Sequence, residues 1–453
     1  MKYYSLNKRS QDVDFREAAI RGQASDKGLY FPASIPVLPA SFFEKIGEYS
    51  KEAIALQVIA PYTGDTIPAK ALERIVGETV NFEFPLVRVT DDIFSLELFH
   101  GPTLAFKDVG ARFMSRCLGY FFKEKKNKAV VLVATSGDTG GAVADGFYGV
   151  EGIDVIILYP SGKVSAVQEK QLTTLGKNIH ALEIEGSFDD CQRMVKQAFM
   201  DEELNKALFL TSANSINVAR WLPQQFYYFF AWKQWQKENS TLSGALPPLV
   251  VSTPSGNFGN LCAGLLAYRS GLPIDHFIAA CNANDAVTQY FKNGKYQPQP
   301  ARATLSNAMD VGDPSNFVRM LELFDSEYGA LKNLISSYSV SDEETRETIR
   351  EVYTKFNYLP DPHGAVAYAS LVRYFKEYAD AQGASGMKGK EERRPQGIFL
   401  ETAHPIKFYD VVEPVTGKPV DMPAAIRDII HKEKVSLRMS NAFGELKEYL
   451  LRK

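Results

Sequence analysis

Short apolar runs alternate with helix-like stretches along most of the chain, from about residue 85 onward. Before that point, residues 41–60 (SFFEKIGEYSKEAIALQVIA) place apolar side chains three and four positions apart, which is the spacing of an amphipathic helix. The pattern therefore predicts a small, mainly helical N-terminal domain, which we place at residues 1–80, and a different architecture over residues 81–453.

The apolar runs of the second region are rich in Val and Ile, and each is followed by a turn and a helix-like stretch. They are AVVLVA from residue 129, DVIILYP from 154, PLVVSTP from 248, DHFIAAC from 275 and GIFLETA from 397. Continuous apolar strands of this kind are typical of parallel sheets that helices cover on both faces. We therefore predict an α/β fold.

Three local patterns refine this picture. Ser341 and Glu344 have the spacing of a capping box, which predicts a helix beginning there. Residues 221–235 form the most apolar window, but proline, glutamines and a lysine interrupt it, so a buried or interface helix is favoured over a membrane span. Residues 381–395 carry Gly, Ser and mixed charge without periodicity, which predicts an exposed loop.

Composition narrows the function classes. Hydrophobic residues make up 45% of the 453 residues and charged residues 23%, a balance typical of folded globular proteins. The 51 basic and 54 acidic side chains leave a net charge of −3, which provides no cationic field for nucleic acid or an anionic membrane. We therefore expect neither partner, and any anion must be bound by a local site.

The cysteines and the N-terminus favour a cytoplasmic protein. Four scattered cysteines, at 117, 191, 262 and 281, form neither a disulfide framework nor a C-x-x-C pair, so we predict a reducing compartment and no metal site. The first residues, MKYYSLNKRSQDVDF, contain no apolar leader segment, and no stretch of about 18 apolar residues occurs.

Lys107, in the segment HGPTLAFKD of residues 100–108, is a candidate for covalent chemistry. A lysine between Phe106 and Val109 loses hydration, which disfavours its ammonium form and provides a neutral amine for Schiff-base formation. The alternative is a surface lysine whose aliphatic stem packs on the phenylalanine.

The segment ATSGDTGG, residues 134–141, follows the first apolar run and precedes a helix-like stretch. Its backbone N–H groups and the hydroxyls of Ser136 and Thr139 suit a carboxylate or a phosphate, although a simple glycine turn has the same pattern. The spacing is G-x-x-G-G rather than G-x-G-x-x-G, and no acidic residue ends the next strand. Nicotinamide cofactors are therefore disfavoured.

The segment SGNFGN, residues 255–260, lies between another apolar run and a helical stretch. Glycines allow the backbone to approach a phosphate at a helix N-terminus, and the absence of G-K-[ST] favours a phosphate monoester over a nucleotide with Mg²⁺. A turn without a ligand remains the alternative.

Two further segments carry polar groups. Residues 211–220 (TSANSINVAR) combine small donors with Arg220 and suit a second phosphate, or else they cap the next helix with Arg220 in solvent. In residues 401–407 (ETAHPIK), the Thr402 hydroxyl can bond to a ring nitrogen, whereas the alternative is a turn held by Pro405 with His404 in the core.

The order of these five segments, together with QASDKGLYFP at residues 23–32, resembles the threonine synthase family of pyridoxal-phosphate enzymes, and the resemblance extends from about residue 4 to 440. It implies the tryptophan-synthase β-like fold (fold type II), with two parallel-sheet α/β lobes around a pyridoxal-phosphate cleft. The smaller lobe, roughly residues 105–215, is expected to be inserted in the larger one.

The resemblance also implies roles for individual residues. Lys107 would bind pyridoxal phosphate covalently and act as the base, and Thr402 would face the pyridine nitrogen. Asp138 stands where many relatives of this fold have an asparagine beside the phenolic oxygen of the cofactor. The cofactor phosphate would be bound by Ser255, Gly256, Asn257, Phe258, Gly259 and Asn260.

The implied substrate is O-phospho-L-homoserine, which water would convert to L-threonine and phosphate. Its carboxylate would be bound by Ser136, Gly137 and Thr139, and its phosphate by Asn214, Ser215, Asn217 and Arg220, with Lys163 as a weaker candidate. The alternatives are a related phospho-amino-acid lyase, a hydroxyamino-acid dehydratase, or a binding protein of the same fold without catalysis. We expect a monomer or a homodimer.

Overall fold

Three β-sheets organise the protein. The computed structural model describes residues 1–123, 128–241, 244–384 and 394–452. A small antiparallel sheet has the strand order β2-β1-β3, a larger sheet β12-β11-β10-β13-β5-β4, and a smaller one β14-β8-β7-β6-β9. The strands are β1 Lys2–Ser5, β2 Val13–Asp14, β3 Tyr30–Pro32, β4 Leu86–Arg88, β5 Ile93–Glu97, β6 Ala129–Ala134, β7 Ile153–Pro160, β8 Ile179–Glu185, β9 Phe209–Ser212, β10 Leu249–Pro254, β11 His276–Cys281, β12 Ile335–Ser339, β13 Gln396–Glu401 and β14 Leu437–Ser440.

Helices surround the sheets. They are α1 Phe15–Arg21, α2 Ala40–Lys45, α3 Lys51–Thr63, α4 Ala69–Thr79, α5 Lys107–Phe122, α6 Asp138–Phe147, α7 Ala166–Thr173, α8 Phe188–Met200, α9 Glu202–Ala207, α10 Val218–Trp221, α11 Phe226–Glu238, α12 Gly259–Arg269, α13 Ala286–Asn293, α14 Phe317–Leu323, α15 Tyr328–Leu334, α16 Asp342–Phe356, α17 Pro362–Ala384, α18 Tyr409–Thr416, α19 Ala424–Ile430 and α20 Phe443–Leu451. In the described part of the chain, no helix is both long and apolar enough to cross a membrane.

The predicted α/β class is confirmed, and all five apolar runs are strands. β6 and β7 pair in parallel in the smaller sheet, whereas β10, β11 and β13 pair in parallel in the larger one. β6 and β10 are buried at every position, as expected for strands that are covered on both faces. The two runs near residues 130 and 155 therefore belong to one sheet, and the three later runs belong to the other.

Several strands carry no comparable signal. β12 (ISSYS) is polar and only partly buried, and β14 (LRMS) is a short edge strand with two exposed residues. β14 pairs with β8, so a strand from the C-terminal region joins the smaller sheet and extends it beyond residues 105–215. The N-terminal region is mainly helical, as predicted, but it also contains the three short strands of the antiparallel sheet.

Three local predictions can be compared with the structure. Ser341 caps α16 and exchanges hydrogen bonds with Glu344, which confirms the capping box. Trp221 is buried at the end of α10 and Trp235 is buried within α11, so residues 221–235 are a buried helical segment, as predicted. The prediction of a loop at residues 381–395 is wrong at its start, because residues 381–384 are uncharged and continue helix α17 to Ala384. Residues 385–393 of the predicted loop lie outside the described part of the chain.

The segments that carry candidate chemistry lie at the carboxyl ends of parallel strands. Residues 100–108 follow β5, residues 135–141 follow β6, residues 213–217 follow β9, residues 255–260 follow β10, and Thr402 follows β13. Open α/β sheets bind their ligands at these ends. The fold therefore places the five sequence segments at the carboxyl edges of the larger and the smaller sheet.

Candidate active site

Lys107 is the first residue of α5 and lies beside the segment that follows β13. Ala105 forms an isolated bridge with Ala403, and the Phe106 N–H donates to the Thr402 carbonyl at 2.9 Å. These backbone contacts bring the lysine segment and the threonine predicted to face the cofactor ring to the same place.

Lys107 is a basic side chain whose surroundings favour its neutral form. Burial lowers the pKa of Lys107 to about 8; the charges of Lys407 and Arg220 act in the same direction, and that of Asp138 opposes them. The side chain keeps a partly exposed surface. A neutral amine is therefore accessible near physiological pH, as covalent catalysis requires.

Asp138 and Lys407 form a buried salt bridge next to Lys107. Lys407 Nζ lies 2.7 Å from Asp138 Oδ1, and the two side chains are 0% and 3% exposed. Gln168 Nε2 donates to the same oxygen at 2.9 Å. Lys407 and Lys107 keep the pKa of Asp138 well below its usual value despite burial, so the carboxyl is ionised.

The loop before Lys107 is held at Thr103, which is hydrogen-bonded to the side chains of Asp108, Lys407 and Gln171. The Thr103 N–H donates to Asp108 Oδ2 at 2.9 Å, and its hydroxyl donates to the other carboxyl oxygen. The Thr103 carbonyl accepts from Lys407 Nζ at 2.9 Å and from Gln171 Nε2 at 3.0 Å. Lys407 therefore fixes both the lysine loop and the carboxylate of Asp138.

The turn after β6 is stabilised by Thr135 and leaves its neighbours available. Thr135 Oγ1 accepts from the N–H groups of Gly137 and Gly140 at 3.0 and 2.8 Å. Gly137 has φ of 136°, and a Cβ there would lie 2.4 Å from Gln168 Cδ, so only glycine fits. Ser136 and Thr139 remain partly exposed, as a carboxylate site requires.

The loop 255–260 is closely packed and leads directly into α12. A Cβ on Gly256 would lie 2.6 Å from Met309 Cα, and Phe258 adopts the left-handed conformation at φ 61°. Because the first N–H groups of a helix have no acceptor within it, the start of α12 can bind an anion.

Asn260 adds a side-chain donor to this loop. Its Oδ1 accepts from the hydroxyls of Tyr227 and Tyr228 at 2.8 and 2.9 Å, whereas its buried Nδ2 has no partner in the described part of the chain. A buried unpaired donor is costly unless a ligand satisfies it.

Ser255, at the edge of the loop, donates its hydroxyl to the Thr253 carbonyl at 2.8 Å and is thus used within the protein.

A direct hydrogen bond joins the loop 255–260 to the segment after β9. Asn257 Nδ2 donates to Ser215 Oγ at 2.7 Å, and its Oδ1 accepts from the Ser315 N–H at 2.6 Å. Arg319 is fully buried and donates to the carbonyls of Ser215 and Ile216 at 3.1 and 2.7 Å. Asn316 Nδ2 lies 3.2 Å from both Ser215 Oγ and the Asn257 carbonyl, so the two segments predicted to bind phosphates are neighbours with a shared support.

Arg220 is a buried cation, which excludes the alternative that places it in solvent. It is 3% exposed, donates to the Ala213 carbonyl, and has an Nε without a partner among the described residues. Asp108 is the nearby acid, and burial lowers the pKa of Arg220 to about 10, so the side chain keeps its charge at neutral pH. Such a group is well placed for an anionic ligand.

Not every candidate residue has free groups. Asn217 caps α10 by accepting from the Ala219 N–H at 2.9 Å, and its Nδ2 donates to the Ala19 carbonyl at 2.8 Å, so it fixes the turn below Asn214 and Ser215. Asn214 and Ser215 are partly exposed. Lys163 is exposed in the turn after β7.

Sequence reasoning missed the residues that support the site. Asp108 ends the segment HGPTLAFKD and Lys407 ends the segment ETAHPIK, so their charges next to candidate residues were the signal that could have identified them. Thr135 also lies in a quoted segment, but its neighbours were chosen instead. Arg319 lies in a helix with no distinctive motif, so no local signal identifies it.

Comparisons with known proteins show the family of this chain. A family model described as pyridoxal-phosphate dependent enzyme matches residues 85–384. Models for the threonine synthase N terminus and for the threonine synthase C-terminal region match residues 2–80 and 381–450.

Full-length relatives carry the same name. The chain is 42% identical to threonine synthase from Serratia marcescens over 100% of this chain and 99% of that protein. The crystal structure of threonine synthase from Escherichia coli matches with a TM-score of 0.88 and 40% identity, covering 100% of both chains. The structure of PLP-bound threonine synthase from Brucella melitensis matches with a TM-score of 0.87 and 35% identity, covering 100% of this chain and 99% of that one. The chain belongs to the threonine synthase family of pyridoxal-phosphate-dependent enzymes.

Proposed function

We propose that this enzyme converts O-phospho-L-homoserine and water to L-threonine and phosphate, with Lys107 as the residue that attaches the cofactor and moves protons. The observation that carries the proposal is that Lys107, with its pKa lowered to about 8, begins α5, and the same helix packs at Gly110 against the buried Arg220: a Cβ there would lie 3.0 Å from Arg220 Nε, which has no partner among the described residues. One group supplies a neutral amine, and the other supplies a permanent positive charge for a phosphate.

The residues present fit pyridoxal phosphate. The unpaired Asn260 Nδ2 and the first N–H groups of α12 provide donors for its phosphate, and the close approach of Gly256 to Met309 leaves room for the ligand only on the other side of the loop. When bound, the cofactor withdraws electrons from the substrate carbon that loses its proton. Lys107 provides the amine that its aldehyde requires.

Thr402 and Asp138 are assigned to the ring of the cofactor. A hydroxyl at position 402 does not enforce protonation of the ring nitrogen, as a carboxylate would, so it moderates electron withdrawal. Asp138 Oδ1 already binds Lys407 and Gln168, so we assign its other oxygen to the ring.

Lys107 moves protons in the reaction. Once the substrate amine has displaced it, its neutral amine would accept the proton from Cα of the substrate. It would release that proton before it accepts one from Cβ as the phosphate leaves, and water would then add at Cβ. The same group returns a proton at the end of the cycle. Ser136, Gly137 and Thr139 hold the substrate carboxylate, which keeps Cα within reach of the amine.

Arg220 stabilises the departing phosphate, with Asn214 and Ser215 as further donors. Negative charge grows on the leaving group as its bond to the substrate breaks, and a buried guanidinium stabilises this charge more than water does. Asn217, which the sequence predicts as a phosphate ligand, is assigned instead to the turn beneath Asn214 and Ser215, because its amide is hydrogen-bonded within the protein. Lys163 is retained as a peripheral candidate only.

The remaining assignments follow from organisation and composition. We propose residues 1–80 as an N-terminal domain and residues 81–453 as the catalytic region, with a smaller lobe of about 105–215 that β14 completes. The four cysteines are free and buried, which supports a reducing, cytoplasmic compartment. A monomer or a homodimer is proposed.

Product analysis tests the proposal. The enzyme, loaded with pyridoxal phosphate, is incubated with O-phospho-L-homoserine, and phosphate and amino acids are measured in the same sample. We expect threonine and phosphate in equal amounts. A keto acid with ammonia in place of threonine would instead support the dehydratase or lyase alternatives, and an absence of turnover would support a binding protein.

A further inference from the structure

Asp361 and His363 lie at the beginning of α17 and contact the backbone on two sides of the site assigned to the cofactor. Both side chains are almost completely buried, at 0% and 2% exposure. Neither lies in a segment to which the sequence or the proposed function gives a role. Their hydrogen bonds lead to two segments that are distant from each other in the sequence.

Asp361 is hydrogen-bonded to the residues on both sides of Thr402, namely to the backbone of Ala403 and to the side chain of Glu401. Its Oδ2 accepts from the Ala403 N–H at 3.0 Å, and its own N–H donates to Glu401 Oε1 at 2.5 Å. Thr402, which is assigned to the cofactor ring, therefore lies between two residues that are both hydrogen-bonded to Asp361.

His363 fixes the segment against which the phosphate loop packs. Its Nε2 accepts from the Ala308 N–H at 3.2 Å. A Cβ on Gly256 would lie 3.0 Å from the Ala308 carbonyl oxygen and 2.6 Å from Met309 Cα, so these two residues form the surface beneath the loop. A shift of Ala308 therefore changes the position of Gly256.

The two side chains are also joined to each other. A backbone N–H can only donate, so Nε2 of His363 is the acceptor and Nδ1 carries the proton. This Nδ1–H donates to Asp361 Oδ1 at 2.6 Å. The carboxylate therefore orients the imidazole toward Ala308, in the way that a carboxylate orients a metal-bound histidine.

Helix capping alone does not explain this arrangement. Asp361 Oδ1 accepts from the N–H of His363 at 2.5 Å and lies 3.4 Å from the N of Gly364, which satisfies the start of α17. Its second oxygen and the far nitrogen of the imidazole both bond to backbone outside the helix. Those two groups have no role in capping.

We infer that Asp361 and His363 are positioning residues that hold the ring side and the phosphate side of the cofactor site in a fixed relation. This inference rests on the proposed function for the placement of the cofactor. It requires only that Thr402 and the loop 255–260 contact opposite ends of the same ligand.

Two substitutions at position 363 separate the contacts. In His363→Gln, the amide oxygen takes the place of Nε2 and still accepts from Ala308, whereas in His363→Asn only the bond to Asp361 is retained. His276→Asn is the matched control, because His276 is a partly buried histidine bonded to Ser336 Oγ at 2.9 Å at the amino end of β11, away from the site.

The measurements are amide hydrogen exchange in the cofactor-free protein and the dissociation constant for pyridoxal phosphate. We expect His363→Asn to accelerate exchange at residues 306–310 and to weaken cofactor binding roughly five- to tenfold, as for the loss of one buried hydrogen bond. His363→Gln and His276→Asn should leave both quantities near wild type.

Asp361→Asn tests the ring side. The new amide nitrogen cannot accept a hydrogen bond, so either the Ala403 N–H or the His363 Nδ1–H loses its acceptor. We expect faster amide exchange at residues 402–404 and a changed absorption maximum of the bound cofactor. Unchanged exchange at both segments, or accelerated exchange with unchanged cofactor affinity and spectrum, would overturn the inference. So would equal weakening in His276→Asn. Failure of the proposed function appears separately, as the absence of threonine formation by the wild-type enzyme.

Discussion

Lys407 and Asp138 form a salt bridge of 2.7 Å between segments that follow strands of different sheets. Asp138 begins α6 after β6 of the smaller sheet, and Lys407 lies in the short 3-10 helix Pro405–Phe408 after β13 of the larger sheet. The pair therefore links the two sheets next to Lys107.

Breaking this pair should destabilise the protein strongly. Asp138→Asn and Lys407→Met each leave one buried charge without its partner, so we expect a loss of about 3–5 kcal/mol in the free energy of unfolding. The double variant should recover much of this loss. Urea unfolding of the cofactor-free protein measures all three.

The control is an exposed pair. Lys355 and Glu351 lie 2.7 Å apart on α16 with more than half of each side chain exposed, and Glu351→Gln should change stability by less than about 1 kcal/mol. Losses for the Asp138 and Lys407 variants as small as that of the control would contradict the assignment of a buried, structurally important pair.

The pH dependence of cofactor capture should report the pKa of Lys107. Only the neutral amine attacks the aldehyde, so the capture rate of the cofactor-free protein should increase about tenfold per pH unit below pH 8 and level off above it. Absorbance stopped-flow measurements across this range give the midpoint.

The neighbours should move this midpoint in opposite directions. Asp138 raises the pKa of Lys107 and Lys407 lowers it, so Asp138→Asn should lower the midpoint and Lys407→Met should raise it. Shifts in the same direction for both variants would show that structural disturbance, rather than charge, sets the value.

Arg220→Ala should impair turnover while leaving cofactor binding almost intact. Loss of a charge-assisted contact to the substrate phosphate should reduce kcat/KM about a hundredfold, and lysine should restore only part of it because an ammonium lacks the planar fork. Steady-state kinetics and a cofactor titration measure the two effects.

Asn257→Ala is the counterpart of that variant. We expect weaker cofactor binding and activity that added pyridoxal phosphate partly restores, together with some effect on substrate, because Asn257 bonds to Ser215. Equal loss of cofactor in the two variants would mean that the two phosphate sites are assigned wrongly.

Gly256→Ala should weaken cofactor binding by displacing the phosphate loop. The new Cβ would lie 2.6 Å from Met309 Cα, which is too close for backbone to remain in place. We expect at least a tenfold increase in the dissociation constant, equivalent to about 1.4 kcal/mol. Gly47→Ala, where a Cβ meets nothing within 4 Å, is the control, and equal behaviour of the two variants would contradict this account.

The sequence was informative where a signal is local. Apolar runs such as AVVLVA are strands because every side chain is buried, and the segment around Ser341 is capped by its own residues. The short strand β14 and the buried Arg319 depend on tertiary contacts instead. Similarly, Arg220 is buried because α10 packs against α5 at Gly110, where a Cβ would lie 2.6 Å from the Arg220 carbonyl oxygen, and no spacing along the chain reveals this contact.

The most direct test of the account is to identify the lysine that binds the cofactor. Lys107 and Lys407 share one site, but Lys407 is fixed in a salt bridge, whereas burial favours the neutral form of Lys107. The enzyme loaded with pyridoxal phosphate is reduced with borohydride, digested and mapped by mass spectrometry. We expect the modification on Lys107, and modification of Lys407 or another lysine with Lys107 unmodified would contradict the assignment.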